Sequence, residues 1–363
     1  MAVYPPKPAK EPPLLERGPI AWVRHNLLSS PFNIAFTILG LAILYWTIPP
    51  FVKWAFLDAN FAGHTKADCT GDGACWVFVK EKLNMFFFGF YPQDQLWRPK
   101  SVIAAILALV AFAKFVPGLH RFKLLLIVLF PVFAFIMLHG GYFGLPLVET
   151  SKWGGLLLTL VIASVGIILS FPIGILLALG RQSKLPIIKS LSVFYIEFVR
   201  GVPLITVLFM ASVVLPLFFP EGVNFDKLAR ALIGITLFEA AYVAENIRSG
   251  FQAIPKGQYE AADALGLSYW QKMALVILPQ AIKVTIPNLV GTFISLFKDT
   301  SLVMIIGLFD LLAMVNVTSN DRDWLGMDTE GYVFVAFIFW IFTFSMSMYS
   351  KRLERKLNTD KGK

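Results

Sequence analysis

The sequence predicts an all-α integral membrane protein of about eight transmembrane helices, a group of three followed by a group of five. Three observations lead there. Of 363 residues, 57% are hydrophobic and 15% charged, whereas a soluble domain is about half apolar and about a quarter charged. The apolar residues gather into runs of about 20, the length that crosses a ~30 Å hydrocarbon layer. The basic residues behind the net charge of +9 sit in short clusters at the ends of those runs, as cytoplasmic loops do. That scatter argues against a nucleic-acid partner, which would meet a basic face or stripe.

Residues 1–31 are Pro-rich and polar, lack the apolar core of a signal peptide, and read as a cytoplasmic tail. Residues 32–52 make the first crossing, and Lys7, Lys10, Arg17 and Arg24 before it put the N-terminus inside. The mixed-charge stretch 53–100 is then a periplasmic loop, with Trp76, Tyr91 and Trp97 suited to the membrane interface. Within it Cys69 and Cys75 flank a Gly-rich turn, CTGDGAC, where a short-loop disulfide and two free thiols are equally open. Residues 101–116 return to a basic turn of His120, Arg121 and Lys123, and residues 124–138 go out again. Residues 32–150 thus form a three-helix extension.

The character of the chain shifts at Trp153, and a five-helix core is expected over residues 151–350. Residues 156–180 run inward to Arg181, Lys184 and Lys189. Residues 190–219 form one outward crossing whose first half holds Glu197, Arg200, Gly201 and Pro203. Residues 228–249 return, with Glu239 near the middle and Glu245 and Arg248 near the end. Residues 282–317 go out, interrupted by Lys298, Asp299, Thr300 and Ser301. Residues 332–349 come back to a tail, 351–363, with six basic residues against two acidic ones, so both termini are expected in the cytoplasm.

An ionised side chain at bilayer depth costs on the order of 2.5–3.5 kcal/mol, so these groups should face protein or a wet cavity. Glu197 and Arg200 sit three apart, as do Glu245 and Arg248, so each pair can share a helix face and either staple helices or line a path. Lys298 and Asp299 point about 100° apart on a helix and need other partners. Glu239 has no opposite charge near it in sequence, which suits a pathway residue or a protonated buried acid. Four His and two Cys, scattered apart from the Cys pair, argue against a metal centre. No Ser/His/Asp set lies together, so no catalytic residue is assigned.

Residues 258–287, QYEAADALGLSYWQKMALVILPQAIKVTIP, interrupt the apolar runs. Tyr259 to Leu265 favours helix and stops at Gly266, which can take the left-handed conformation. Ser268 and Gln271 have capping-box spacing and start a second helix, whose apolar stripe from Trp270 to Leu278 ends at Pro279. Ala261, Ala262 and Ala264 would let another surface approach closely, with Glu260 and Asp263 offering charge. An ordinary surface loop is the plain alternative.

Glu260-Ala261-Ala262, then Gly266 after three residues, then nine residues, then Val276-Ile277-Leu278-Pro279, resembles the EAA loop of ATP-binding-cassette (ABC) importer permeases, with Val276 where Ile is usual. Over residues 153–351 the stretches WGGLLLTLVIA, YIEFVRGVPLI, AAYVAENIRSGFQAIPKGQYEAADALG and FKDTSLVMIIG are similar to general L-amino-acid permeases of that family. The resemblance implies a bacterial inner-membrane subunit whose loop 250–287 docks on a separate ATPase dimer through Glu260, Ala261, Ala262, Gly266, Leu278 and Pro279. It also implies a second, related permease and a periplasmic amino-acid-binding protein. ATP and Mg would bind the ATPase and no cofactor this chain, which has no GxxxxGK[ST] loop. Carried over by motif position, Glu197, Arg200, Gly201 and Pro203 would line or shape the translocation path, with Lys298 to Ser301 nearby. The family usually has a branched apolar residue at Asn246 and Gly at Ser249. An ion-coupled secondary amino-acid carrier titrating Glu197, Glu239 or Glu245 is the alternative, although no inverted repeat is visible.

Overall fold

The computed structural model describes residues 18–115, 123–220 and 225–358, which are mainly helical with no named strand among them. The proline-rich stretch 1–17, His120, Arg121 and residues 359–363 lie outside the described residues. The chain divides into two compact units, Met1–Val77 and Phe78–Lys363, so part of the stretch expected as an extension belongs to the larger unit.

In the smaller unit, α1 (Gly18–Asn26) leads into α2 (Pro31–Val52), which Ser30 caps by accepting from the Asn33 amide. A π-helical turn continues α2 to Leu57. No residue of α2 is buried. A helix apolar all round and uncovered by its own chain suits a lipid-facing crossing. Beyond it the chain turns back on itself: the Ala74 amide donates to the Trp54 carbonyl at 2.9 Å and the Trp76 indole to the Ala55 carbonyl at 2.7 Å. Cys69 and Cys75 are joined as a disulfide, and Asp68 caps the turn before them by accepting from the amides of His64 and Thr65, both at 2.9 Å. Those bonds hold the Asp68 carboxyl below its ordinary value. If this hairpin is periplasmic, a membrane-impermeant thiol reagent added outside after reduction should label Cys69 and Cys75. Labelling only from the cytoplasm would reverse the topology.

The unit boundary falls within α3 (Trp76–Glu81), and the larger unit continues with α4 (Leu83–Phe88), α5 (Trp97–Phe115) and α6 (Lys123–His139). Tyr91, expected at the membrane interface, is instead buried with its hydroxyl on the Leu138 carbonyl at 2.8 Å. Arg98 is fully buried, donating to the carbonyls of Met137 at 2.6 Å and Pro146 at 2.8 Å. The core then follows as α7 (Gly155–Arg181), α8 (Pro186–Gly201), α9 (Leu204–Phe209) and α10 (Lys227–Ala253). α7 and α10 pack closely because Gly174 faces Val243, where an added Cβ would come within 2.5 Å of a Val243 methyl carbon. Small residues at such contacts are how helices approach in lipid, where apolar burial alone gives little drive.

Residues 190–219 are not one straight crossing. α8 and the segment Leu204–Phe218 meet at a 104° bend, because Pro203 lacks the amide that would continue α8 and restricts Val202 to an extended conformation. The coupling segment comprises α11 (Lys256–Ala264) and α12 (Tyr269–Gln271), and then a π-helical stretch, Lys272–Ile277, runs into α13 (Leu278–Asp299). Pro279 therefore does not end the helix as expected. The wider turn lets the Leu278 amide reach back to the Met273 carbonyl, which accommodates the proline ring. The 3₁₀ stretch Thr300–Ile306, α14 (Ala313–Ser319) and α15 (Asp328–Asn358) complete the chain. Lys82, between α3 and α4, pairs with Asp321 in the turn before α15, holding that carboxyl below its ordinary value. Among the described residues four helices are long and apolar enough to cross a membrane, five when the bent pair counts as one span.

Candidate functional site: a cavity at the broken helix and a protruding helical bend

The break after α8 opens a cavity of about 840 Å³, walled by Arg200 to Leu204, by Phe238, Glu239 and Tyr242 of α10, and by a polar strip of α13. Pro203 turns the chain, so the end of α8 presents Arg200 to the space where a straight helix would pass. The Arg200 guanidinium lies 5.7 Å from the Tyr242 ring centroid, a cation–π distance. Glu239 is 4% exposed and its Oε1 has no hydrogen-bond partner. Asp299 lines the same cavity, which therefore offers two carboxyls and one guanidinium to an occupant.

Beside it lies an ionic cluster. Glu245 accepts two bonds from Arg248, at 2.9 and 2.5 Å, and stands 3.6 Å from Arg181 and 3.7 Å from Arg200. Arg181 also pairs with Glu197 at 2.8 Å. The Glu197–Arg200 pair suggested by spacing does not form. Glu197 takes its partner from the end of α7, because helix packing brings Arg181 within reach and draws Arg200 towards Glu245 and Tyr242. A double-mutant cycle in detergent should show coupling for Arg181→Gln with Glu197→Gln and additivity for Glu197→Gln with Arg200→Gln. The reverse pattern would sink this assignment.

The third feature is the bend between α11 and α12. Gly266 has φ +71°, the left-handed region that glycine adopts without cost, and its amide donates to the Asp263 carbonyl at 2.9 Å. Ser268 and Gln271 form the expected capping box. Lys272 reaches back across the bend to Asp263 at 2.5 Å, tying the two helices together. Glu260, Ala261, Gly266 and Pro279 are exposed, and so is Leu265 at 78%. Ala262, expected to face a partner, is buried against its own bundle, since it falls on the inward face of a one-face amphipathic turn.

Residues 170–359 match the family described as binding-protein-dependent transport system inner membrane component. The chain belongs to that family. It is a permease subunit, a transport component rather than an enzyme, and a multi-pass inner-membrane protein. It is 54% identical to the inner membrane amino-acid ABC transporter permease protein YhdY of Escherichia coli, over 98% of this chain and 97% of that one. It is 42% identical to the glutamate/glutamine/aspartate/asparagine transport system permease protein BztC of Rhodobacter capsulatus, over 98% and 96%. Among solved structures, one described as an amino acid ABC transporter with histidines is 32% identical and covers 56% of this chain and 92% of its own, with a TM-score of 0.49.

Of the residues singled out by sequence, the permease gathers Arg200, Gly201, Pro203, Glu239 and Asp299 at the cavity and Glu197 and Glu245 in the adjoining cluster. Lys298 is exposed and does not line the cavity. Thr300 is buried with its hydroxyl on the Phe297 carbonyl at 2.9 Å, and Ser301 bonds the Lys298 carbonyl at 2.9 Å. Both hydroxyls are turned onto their own helix. Sequence reasoning missed Asn288, Gly291, Thr292 and Ser295, which with Asp299 fall at i, i+3, i+4, i+7 and i+11 along α13, one face at helical spacing. Asn246 donates to Thr292 at 2.8 Å and links α10 to α13 at the cavity edge.

Proposed function

We propose that this permease carries L-amino acids inward through the cavity at the broken helix, driven by a separate ATPase that grips the α11–α12 bend. The observation that carries this reading is a cavity offering both signs of charge, Arg200 against Glu239 and Asp299, to a ligand that has a carboxylate and an ammonium. Charged walls at bilayer depth are costly and are kept where a pathway uses them. The names of YhdY and BztC support the amino-acid class. The exposed Glu260, Ala261 and Leu265 suit a protein partner, and a bend fixed by Gly266 and the Lys272–Asp263 pair would pass a push on α11 into α13.

The same reading has both termini in the cytoplasm and about eight crossings, with α5 and α6 counted beside the more apolar spans. The assembly holds a second, related permease and two ATPase copies that bind ATP and Mg, and it receives substrate from a periplasmic binding protein. The test is affinity purification of the tagged chain from native membranes with identification of what accompanies it. An ATPase and a second permease are expected. Uptake by the lone chain under an ion gradient would overturn the reading.

A further inference from the structure

At the end of the bundle that carries the coupling segment, a groove of about 560 Å³ runs between the turn from α7 to α8 and the segment Tyr259–Met273. Its walls differ in chemistry. One is aliphatic, with Leu176, Leu185 and Ile188, of which Leu176 is 65% and Leu185 59% exposed. Along α8 this wall continues into Leu191, Phe194 and Phe198, large apolar side chains turned away from the core. The groove also holds Lys184 and the exposed Trp270. Lys272 also lines the groove, but its charge is met by Asp263 at 2.5 Å, so Lys184 supplies the groove's positive charge. The first turn of α8 contains no acidic residue and has no side-chain cap, which leaves a positive potential beside it.

A groove that combines a cation and aromatic rings with an aliphatic wall continuing into a row of exposed apolar side chains matches an amphiphile with an anionic head. We propose that this groove binds the headgroup of an anionic phospholipid, whose acyl chains run along α8 and whose presence braces the coupling segment against the α7–α8 turn. A soluble anion would have no use for the aliphatic wall, and a neutral lipid none for Lys184. Tyr259, whose hydroxyl holds the Phe251 carbonyl at 3.2 Å, stands on the groove's coupling side. Occupancy therefore bears on the element that the proposed ATPase would grip.

The purified full-length permease should retain phosphatidylglycerol through detergent exchange, read by native mass spectrometry. Lys184→Gln should retain about fivefold less, the effect of one basic side chain near an anionic surface, and Lys184→Arg should restore retention. Equal retention in Lys184→Gln and the unaltered chain overturns the proposal. In the assembled importer, phosphatidylglycerol nanodiscs should stimulate ATP hydrolysis over phosphatidylcholine ones, and Lys184→Gln should lose the stimulation. Equal stimulation by inorganic phosphate in phosphatidylcholine nanodiscs would mean a soluble-anion site. A cross-link from Ser183→Cys to the ATPase would mean a subunit seat, and either result overturns the lipid assignment. Retention is read without substrate or ATPase, so its failure is distinct from any failure of the transport reading.

Discussion

Gly266→Pro is expected to leave the permease inserted in the membrane while abolishing uptake, because it removes the bend that holds α11 and α12 at their angle. Proline fixes φ near −65°, whereas Gly266 sits at +71°, and proline also deletes the amide that bonds the Asp263 carbonyl. The combined cost is about 3 kcal/mol, roughly a hundredfold in the population of the bent form. Gly266→Ala is the graded control. Nothing lies within 4 Å of a Cβ there, so alanine meets only the backbone penalty of roughly 1–2 kcal/mol and should lower uptake partially. Uptake and ATP hydrolysis measured together in vesicles would distinguish uncoupling from misfolding. Normal uptake by the proline variant would mean that the bend transmits nothing.

Glu245→Ala should be the most destabilising single change among the charged residues of the core. It leaves Arg181, Arg200 and Arg248 converging on a vacated position, and Glu245 is only 22% exposed. Losing a charge-assisted pair of bonds costs about 1.5–3 kcal/mol, a fall in melting temperature of roughly 2–4 °C for a chain of this size. Glu197→Gln is the comparison: its side chain is 55% exposed, so the loss should stay below about 1 kcal/mol. Equal shifts for the two variants in a detergent thermal-stability assay would show that Glu245 is not the hub of the cluster.

What the sequence made legible was local. Gly266, Ser268 and Gln271 act through neighbours one to three residues away, so the bend and the second helix start could be read from spacing, as could the Glu245–Arg248 pair on a single helix face. Features set by packing could not. Glu197 had a plausible partner three residues on, yet finds Arg181 16 positions back across a helix boundary. Pro279 looked like a terminator because the cost of a proline assumes an α-helical turn, and a π-helical turn relieves it. The break at Val202-Pro203 lay in plain view, but an apolar run of the right length masked it. Arg98, between Trp97 and Pro99, carries no local signal of its burial. Its carbonyl partners lie 39 and 48 residues further on.

That long reach bears on how the chain enters the bilayer. A guanidinium keeps its proton under all ordinary conditions, so when α5 first emerges from the insertion machinery it carries a cation whose permanent acceptors have not yet been synthesised. Until α6 and the turn at Pro146 arrive, that end of α5 must stay in contact with water or headgroups. Under the proposed eight-crossing reading, the two helices should therefore partition into lipid together, and truncation before Met137 should leave α5 poorly anchored.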